Sequence, residues 1–390
     1  MDENQGKKKN PLLRLLACLV TAALLLTAVM LVANWRKLNF DFIKRYFTYR
    51  ALERNASGQV DSFPYNGGSG SAFAQLGDDL LVCSGSGIWL YAPTGGLYLE
   101  DACSLAHPVV AATDTAALIY DAGGSDLYVY RDREQVFSLT TEANRSILSA
   151  SLSRQGLLTV VTQASGLKGA ATVYGPSFQP LWGVNLSSRF ITDAVLSPDG
   201  STLALATAGQ TGGIYDSQIA FYSSNRTDAD SQTPDVVCSL GNNTVLALDW
   251  QSDVLRVLGE DSLDLVSKDG ALIASYSYGG RYLKGFSLSG GDFSTLLLGR
   301  YRAGTDAQLI TVDDQGGELA ALPLNQQIIS LSSAGRYVSL LTPDGLSIYT
   351  QELELYHDMS ATQGVRKLLQ RSDGSVFLIS AETARLYLPD

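Results

Sequence analysis

Short apolar runs separated by turn residues fill most of the chain that follows residue 71. The runs are bounded by Gly, Asp, Asn and Pro, and this combination is typical of β-strands joined by tight turns. A Gly/Ser-rich linker, Asn66–Ser71, precedes them. The pattern predicts an all-β body in which helical segments are nearly absent.

One of these runs recurs through the body and ends each time in an aromatic or β-branched residue. Its eight copies end at Tyr91, Tyr130, Tyr174, Tyr222, Val266, Thr311, Tyr349 and Tyr387. The intervals between them are 39, 44, 48, 44, 45, 38 and 38 residues. A period of about 40–45 residues with four strands per unit is the signature of propeller blades. The repeat therefore predicts a β-propeller with eight blades, and seven blades is the alternative.

The final repeat has room for three strands before Asp390, whereas a closed ring needs its last blade completed. An open edge strand also invites aggregation. The stretch Gly58–Tyr65, which precedes the first full blade, can supply the missing strand. We therefore predict one propeller domain, residues 58–390, closed by an N-terminal strand at residues 58–65.

The fourth repeat shows how a blade is built. Strand Ile191–Leu196 leads into the turn Ser197–Gly200, whose sequence SPDG suits a tight connection, and Ser201–Thr207 runs back. A Gly-rich loop is predicted over Ala208–Ser217. The remaining predicted segments are the third strand Gln218–Tyr222, the loop Ser223–Pro234 and the outer strand Asp235–Leu240.

The N-terminal segment has a different pattern, because Leu15 to Ala33 contains 19 residues without a charge. As a helix this run is about 28 Å long, close to the hydrocarbon thickness of a bilayer. We predict a transmembrane helix at residues 12–33, preceded by a cytoplasmic head at residues 1–11. The alternative is a cleaved signal peptide. Against it, the apolar run is longer than the apolar region of a typical signal peptide, and no small-x-small cleavage site stands at its end. A lipoprotein-like box at Cys18 is rejected, since the apolar stretch continues beyond it.

Basic and aromatic residues alternate directly after the predicted membrane helix, over residues 34–57. On a helix they would suit the lipid headgroup region, so we predict an amphipathic stem that is helical over Asn34–Arg54. An ordinary soluble helix packed on the body is the alternative. Local counting of basic residues argues against a cytoplasmic N terminus, because more of them follow the apolar run than precede it. That rule weakens when a long folded domain follows, and we predict a cytoplasmic N terminus and an extracytoplasmic propeller.

The net charge of −11 conceals an asymmetry between the two parts of the chain. Residues 1–57 carry ten basic and four acidic side chains, and the remainder carries 18 basic and 35 acidic ones. A basic stem is attracted to anionic lipid headgroups, while an acidic body repels phosphates. The composition therefore predicts the lipid bilayer as a partner of the N-terminal helix and excludes nucleic-acid binding by the body.

Three segments carry a resemblance to a known family. They are the stem NWRKLNFDFIKRYFTYR, the phrase LIYDAGGSDLYVY and the blade ITDAVLSPDGSTLALATA, which begin at Asn34, Leu118 and Ile191. Together they resemble a Gram-positive bacterial family of unknown function with one N-terminal membrane span and a WD40- or YVTN-like propeller body. The resemblance implies an extracytoplasmic propeller tethered to the cell membrane. It brings no catalytic residues, since none are established for the family.

The cysteines are too few for a disulfide scaffold in a chain of this size. Cys18 lies in the predicted membrane helix. A Cys83–Cys103 bridge is conceivable, but isolated buried thiols, Cys238 among them, are the preferred interpretation. No CxxC motif is present, and a zinc site is not expected.

Motifs for catalysis or cofactor binding are also missing. His107 and His357 lie at a predicted blade start and in a predicted outer strand, and neither accompanies a GxSxG nucleophile. No lysine-containing phosphate loop is present, and the acidic loop Asp228–Asp235 lacks calcium-binding spacing. Trp182 is assigned to packing of an outer strand. The sequence predicts no catalytic, cofactor-binding or metal-binding residues.

Two functions fit these observations. The leading hypothesis is a non-catalytic binding or scaffolding module at the cell surface, which binds a protein or cell-envelope partner through propeller loops such as the one near Asp228. The alternative is a hydrolase or lyase acting on cell-envelope glycans or peptides, for which two carboxylates must converge at the channel mouth. Four aspartates lie near predicted inner-strand ends: Asp114, Asp121, Asp193 and Asp249.

Overall fold

A computed structural model describes residues 19–26, 29, 41–55, 58–68, 70–225, 233–250 and 252–389, with the backbone alone at residue 42. The chain divides into two compact units, Met1–Arg50 and Ala51–Asp390. In the first unit, residues 19–26 and 29 are helical, and a second helix spans Asp41–Tyr49. Within the described residues, no helix has the length and apolar character that crossing a bilayer requires.

The predicted head at residues 1–11 and most of the predicted membrane helix at residues 12–33 lie outside the described residues. The predicted stem helix is only partly confirmed, because helix Asp41–Tyr49 ends before Arg54. Arg54 instead pairs with Val60 in antiparallel fashion, and the amide of Gln59 donates to the side-chain oxygen of Asn55 at 3.0 Å. These contacts bring residues 54 and 55 beside residues 59 and 60, which a continuing helix could not do.

The second unit is an eight-bladed propeller, and the all-β prediction is confirmed. Thirty-two strands in the described part of the chain form eight four-stranded antiparallel sheets. Blade 1 contains β2 (Ala72–Leu76), β3 (Asp79–Cys83), β4 (Gly87–Tyr91) and β5 (Leu97–Ala102), and blade 2 contains β6 (Pro108–Ala112), β7 (Ala116–Asp121), β8 (Asp126–Arg131) and β9 (Glu134–Thr140). Blade 3 contains β10 (Ile147–Leu152), β11 (Leu158–Thr162), β12 (Gly169–Tyr174) and β13 (Pro180–Leu186). Blade 4 contains β14 (Phe190–Leu196), β15 (Thr202–Thr211), β16 (Ile214–Ser223) and β17 (Val236–Ser239).

Blades 5–8 continue the same order. Blade 5 contains β18 (Val245–Asp249), β19 (Val254–Gly259), β20 (Ser262–Ser267) and β21 (Leu272–Ser277), and blade 6 contains β22 (Tyr282–Ser287), β23 (Phe293–Gly299), β24 (Ala307–Asp313) and β25 (Glu318–Leu324). Blade 7 contains β26 (Ser330–Ala334), β27 (Tyr337–Thr342), β28 (Gly345–Thr350) and β29 (Leu355–Met359). Blade 8 contains β30 (Lys367–Gln370), β31 (Val376–Ile379), β32 (Thr383–Tyr387) and the N-terminal strand β1 (Phe63–Pro64). The first strand of each blade is innermost in the ring.

The antiparallel order gives the ring two distinct faces. The connections between second and third strands, and those between consecutive blades, lie on one side, which we call the loop face. The connections between first and second strands, and between third and fourth strands, lie on the opposite side, which we call the turn face. Both definitions follow from the strand order alone.

The predicted closing strand is confirmed. β1 is the outer strand of blade 8 and pairs with β32, with Phe63 opposite Ala384. The pairing extends beyond these strands, because the amide of Val60 donates to Leu386 at 2.9 Å and the amide of Leu388 donates to Gly58 at 2.8 Å. The chain therefore enters the ring at the turn face, and both chain ends share one blade.

The repeated run found in the sequence is the third strand of every blade. Its terminal residue precedes the turn to the outer strand, and in six blades the pairing of third and fourth strands shifts register there. Tyr130, Tyr222 and Tyr387 are each 1% exposed at this position. These tyrosines thus fill the space between neighbouring blades, whether or not the register shifts beside them.

The predicted loop Ala208–Ser217 is wrong. β15 and β16 instead continue as a paired hairpin, with Thr211 opposite Ile214. The hairpin turn is Gly212-Gly213, and both glycines have positive φ, 62° and 82°. Two consecutive residues with positive φ make the turn that matches strand twist, and glycine adopts it without a steric penalty. The Gly-rich composition therefore marks a two-residue turn at the loop face.

Apolar clusters between consecutive blades hold the ring together. Second strands such as β7 and β23 are buried along their whole length because a neighbouring blade covers each side. Clusters of this kind occupy the contacts between blades 1 and 2, 2 and 3, and so on to 7 and 8. Continuous apolar runs, in place of strict alternation, are the expected result of burial on both sides.

Ion pairs tie neighbouring blades at the turn face. Arg371 of blade 8 pairs with Asp78 of blade 1, and thereby adds a polar link across the ring closure. Arg256 of blade 5 reaches blade 6, where its Nε donates to Asp314 at 2.8 Å. Its Nη1 also lies 3.5 Å from Asp249, and its nitrogens donate to three backbone carbonyls of the next blade. Arg256 is 1% exposed.

Candidate functional site

A cavity of about 870 Å³ opens on the loop face between blades 5 and 6. Part of its wall is the connection between β23 and β24, which runs from Arg300 to Asp306 and is longer than the corresponding two-residue turn of blade 5. Inner strands β10 and β14 pack closely against each other, whereas β18 and β22 make little contact. The gap between those two strands and the long connection together create the cavity.

Three basic side chains line the blade 6 side of this cavity: Arg281, Lys284 and Arg302. Arg281 is held by neutral acceptors, since its Nε donates to Tyr278 O at 2.9 Å and its Nη1 donates to the amide oxygen of Gln308 at 2.5 Å. In the described part of the chain, none of the three cations lies within 4.0 Å of a carboxylate oxygen. Their charges are therefore available to a ligand.

The position of Lys284 depends on the local backbone. The residue sits at a β-bulge, where the pairing of β22 with β23 shifts register, and such bulges re-aim a side chain. Its aliphatic stem passes over Gly299, where an added Cβ would lie 2.1 Å from the lysine Cε. Its Nζ then donates to Gly304 O at 2.5 Å. Because Gly299 has no side chain, the stem of Lys284 has space to pass over it.

Arg302 and the remaining walls complete the cavity. The guanidinium carbon of Arg302 lies 5.6 Å from the ring centre of Tyr282, a cation–π distance. The blade 5 side carries two exposed carboxylates, Glu260 and Asp261. Apolar side chains contribute as well: Leu246, Leu283, Leu297 and Ile328. The cavity thus combines an apolar part with cations on one side and anions on the other.

Sequence reasoning missed this cavity. The signal that was available is the density of Arg-Tyr pairs, at Arg281-Tyr282 and at Arg300-Tyr301-Arg302, in an otherwise acidic body. Tyr and Arg are enriched at binding hot spots. The pattern alone could not show that the two segments line one cavity, because 19 residues of strand and loop lie between Arg281 and Tyr301.

The four aspartates named for the enzyme hypothesis occupy separate places. Asp114 is exposed in the first turn of blade 2, and Asp121 lies at the other face of that blade, where it accepts from the His107 amide at 2.5 Å. Asp249 pairs with Arg256 of its own blade. Asp193 is partly buried in the inner strand of blade 4. Each carboxylate has its own surroundings, and the structure does not bring the four together.

Asp193 links the inner strands of three blades. Its Oδ1 accepts from the hydroxyl of Ser149 in blade 3 at 2.5 Å and from the amide of Ala194 at 2.9 Å. The backbone of Leu248 in blade 5 is a further hydrogen-bond partner. Burial raises the pKa of the Asp193 carboxyl, and the hydrogen bonds from these three partners offset part of that rise.

We expect Asp193→Asn to change the pH dependence of stability. Because the pKa of Asp193 is raised in the folded protein, ionisation above that pKa weakens folding. The variant lacks this cost, so its advantage over the wild type should be largest at neutral pH. The advantage should shrink as the pH falls through the raised pKa toward the ordinary value of 3.8.

Urea unfolding at several pH values measures the difference in the free energy of unfolding between the variant and the wild type, with Asp114→Asn as an exposed control. A difference that does not vary with pH would contradict the prediction.

The two histidines occur where the sequence placed them. His107 is exposed and precedes the first strand of blade 2. His357 lies in the outer strand of blade 7, and its Nδ1 is 2.6 Å from the hydroxyl of Tyr387 in blade 8. This contact joins two blades. Among the described residues, no three His, Cys, Asp or Glu side chains are grouped so that they could hold a metal ion.

The three cysteines in the part of the chain that the structure describes are free thiols. Cys83 and Cys238 are buried and Cys103 is partly buried. Cys83 and Cys103 both approach Ser84 O, each at 3.7 Å, and burial raises the pKa of Cys83 to about 12. Trp182 is half-buried in the outer strand of blade 3 and packs on the cluster between blades 3 and 4. Most of the acidic loop near Asp228 lies outside the described residues.

Comparison with solved structures shows the same architecture in several proteins. The C-terminal WD40 domain of Sif2 superposes with a TM-score of 0.57 at 13% identity, covering 86% of this chain and 97% of that one. BamB from Moraxella catarrhalis gives 0.52 at 12% identity, covering 85% and 97%. A eukaryotic initiation factor gives 0.52 at 11% identity, covering 86% and 87%. These similarities show the propeller fold alone.

Comparison of sequences places the chain in a family. No curated protein matches it. A family model described as "Family of unknown function (DUF5711)" matches residues 55–379, which is nearly the entire propeller. The chain therefore belongs to the DUF5711 family.

Proposed function

We propose that this propeller is a membrane-anchored, extracytoplasmic binding module without catalytic activity, and that its loop-face cavity is the binding site. The observation that carries the proposal is the set of three basic side chains in that cavity, Arg281, Lys284 and Arg302, held by neutral partners. A closed ring supports such a site well, because strands on both sides fix the ends of each loop.

The N-terminal sequence supports the proposed anchor. The uncharged run over residues 15–33 has the length of a membrane helix. In helix Asp41–Tyr49, the side chains of Ile43, Tyr46 and Phe47 are each about half exposed or more. Exposed aromatic side chains beside basic ones suit the headgroup region of a bilayer. The chain enters the ring at the turn face, so the attachment point and the cavity are on opposite faces.

Protease accessibility tests the location. A protease added to intact cells should digest or release the propeller, whereas a cytoplasmic marker protein stays intact. Permeabilised cells provide the control that the marker can be cleaved. Complete protection of the propeller in intact cells would reverse the proposed orientation.

Site-specific photo-crosslinking tests the binding face. A photoreactive residue at Tyr301, which is 57% exposed on the loop face of blade 6, should give a defined adduct in the native membrane. The matched control is Glu352, which is exposed in a turn at the turn face of blade 7. Equal crosslinking from both positions would contradict the assignment of the binding site to the loop face.

A further inference from the structure

The charge of the cavity is opposite to that of the protein around it. Beyond residue 57 the chain carries 35 acidic and 18 basic side chains. In the cavity, three cations face two carboxylates. Fields from more distant charges are screened over about 8 Å at physiological salt, so a bound group experiences mainly the side chains that it contacts. The blade 6 side of the cavity is therefore a local site for anions on an acidic protein.

The arrangement of Arg281 and Lys284 is suited to carboxylates. Both side chains are held by uncharged oxygens, namely backbone carbonyls, the Gln308 amide and, for Arg281, also the Tyr276 hydroxyl, so neither is in an ion pair with a residue that the structure describes. The guanidinium of Arg281 has further N–H groups beyond the two that donate to Tyr278 and Gln308, and arginine donors match carboxylate oxygens in paired geometry. A ligand carboxylate can bind here without first breaking an ion pair.

The rest of the lining distinguishes between kinds of anionic ligand. Four aliphatic side chains line the cavity: Leu246, Leu283, Leu297 and Ile328. They offer an apolar contact that a hydrated sugar chain does not need but that a leucine-like side chain fills. Two exposed amides, Gln326 and Gln327, border the same space and can pair with a peptide backbone. Apolar, amide and cationic groups in one cavity match the groups of a peptide.

The carboxylates on the opposite side set the orientation of such a peptide. Glu260 and Asp261 repel any anion placed on the blade 5 side. The acidic groups of the ligand must therefore lie toward Arg281, Lys284 and Arg302. A chain that is acidic along its whole length would meet repulsion, whereas one with acidic residues next to an apolar residue avoids it.

We infer that the cavity binds an extended acidic segment of a partner protein, with an apolar side chain in the aliphatic part and adjacent carboxylates on Arg281, Lys284 and Arg302. This inference rests on the proposed role as a binding module and names the ligand class of its site. It requires no covalent step.

Fluorescence anisotropy with defined probes tests the inference on the full chain in neutral detergent. The probe is a short labelled peptide in which leucine is flanked by aspartates. The comparison probes are the same peptide with asparagines in place of aspartates, the same peptide with lysines, and a labelled oligogalacturonate. We expect the aspartate peptide to bind at least tenfold more tightly than each of the others.

Variants locate the binding. Arg302→Gln and Lys284→Met should each weaken binding of the aspartate peptide about tenfold, because each removes a charge-assisted contact. The matched control is Arg300→Gln in the same loop. Arg300 is exposed and lies 4.0 Å from Asp306, outside the cavity lining, so its replacement should leave affinity unchanged. Glu260→Gln should strengthen binding, since it removes a repelling charge.

Several results would overturn the inference. Equal affinity for the aspartate and asparagine peptides, or equal losses in Arg300→Gln and Arg302→Gln, would show that the cavity cations do not bind carboxylates. Tighter binding of the oligogalacturonate would assign the site to an acidic glycan instead. None of these results bears on protease accessibility or on crosslinking at Tyr301, so a failure here remains distinct from a failure of the proposed function.

Discussion

Replacement of Arg256 by methionine is expected to lower the free energy of unfolding by about 3–5 kcal/mol. The guanidinium pairs with Asp314 at 2.8 Å and approaches Asp249 at 3.5 Å. It also donates to the carbonyls of Leu288, Gly290 and Gly291. Methionine fills part of the volume but leaves those carbonyls and both carboxylates without this donor, which is the costly case for a buried network.

Urea unfolding of the full chain, followed by tryptophan fluorescence, measures this loss. Arg300→Met is the matched control, because Arg300 is 71% exposed and its ion pair with Asp306 is long. The control should change the free energy of unfolding by less than about 0.5 kcal/mol. A loss in Arg256→Met no larger than that of the control would show that the link between blades 5 and 6 is energetically unimportant.

Loss of the closing strand is expected to have a still larger effect. Replacing residues 58–65 by a Gly/Ser segment of equal length removes the pairing of β1 with β32 and three buried apolar side chains, Val60, Phe63 and Tyr65. At about 1.5–3 kcal/mol for each buried side chain, the loss is roughly 5 kcal/mol or more. That is comparable with the whole stability of a typical domain, which is about 5–15 kcal/mol.

The expected result is a protein that unfolds at lower temperature and aggregates, because the edge of β32 becomes free. Tyr65 adds specificity to the closure, since its hydroxyl lies within hydrogen-bond distance of Ser380 O (2.8 Å) and Ala381 O (2.9 Å). Thermal unfolding by circular dichroism and light scattering test the prediction. Arg300→Met, whose side chain is 71% exposed, is again the control and should leave the unfolding temperature of the ring unchanged. An unchanged temperature in the 58–65 replacement would refute ring closure by this strand.

The extended hairpin of blade 4 shows where local patterns mislead. Gly209, Gly212 and Gly213 made the segment look like a loop, yet β15 and β16 remain paired through to Thr211 and Ile214. At the base of this extension, Arg189 donates to Asp216 at 3.1 Å. The arginine precedes β14 and the aspartate lies in β16, so no short window of sequence contains both. The segment is a hairpin because the β15–β16 ladder continues through it, and glycine content alone does not reveal that ladder.

The amino-acid sequence by itself determined the ring and its closure. The third strands ending in Tyr91, Tyr130 and their counterparts recur at blade spacing, and the incomplete final repeat predicts the need for a closing strand. Strand propensity and turn geometry depend on only a few neighbouring residues, so both can be recognised in a single sequence. Repetition then amplified a signal that would be weak in one blade.

Only the tertiary structure decided which side chains meet between blades. Arg256 donates a hydrogen bond to Asp314, 58 residues further along the chain, and Ser149 donates one to Asp193, 44 residues further along. The cavity cations depend on the same kind of encounter, since Lys284 passes over Gly299 of the next strand. Each such contact is set by how one twisted sheet packs on the next, and the repeat spacing does not contain that information. The fold could therefore be read from the chain, whereas the candidate site could not.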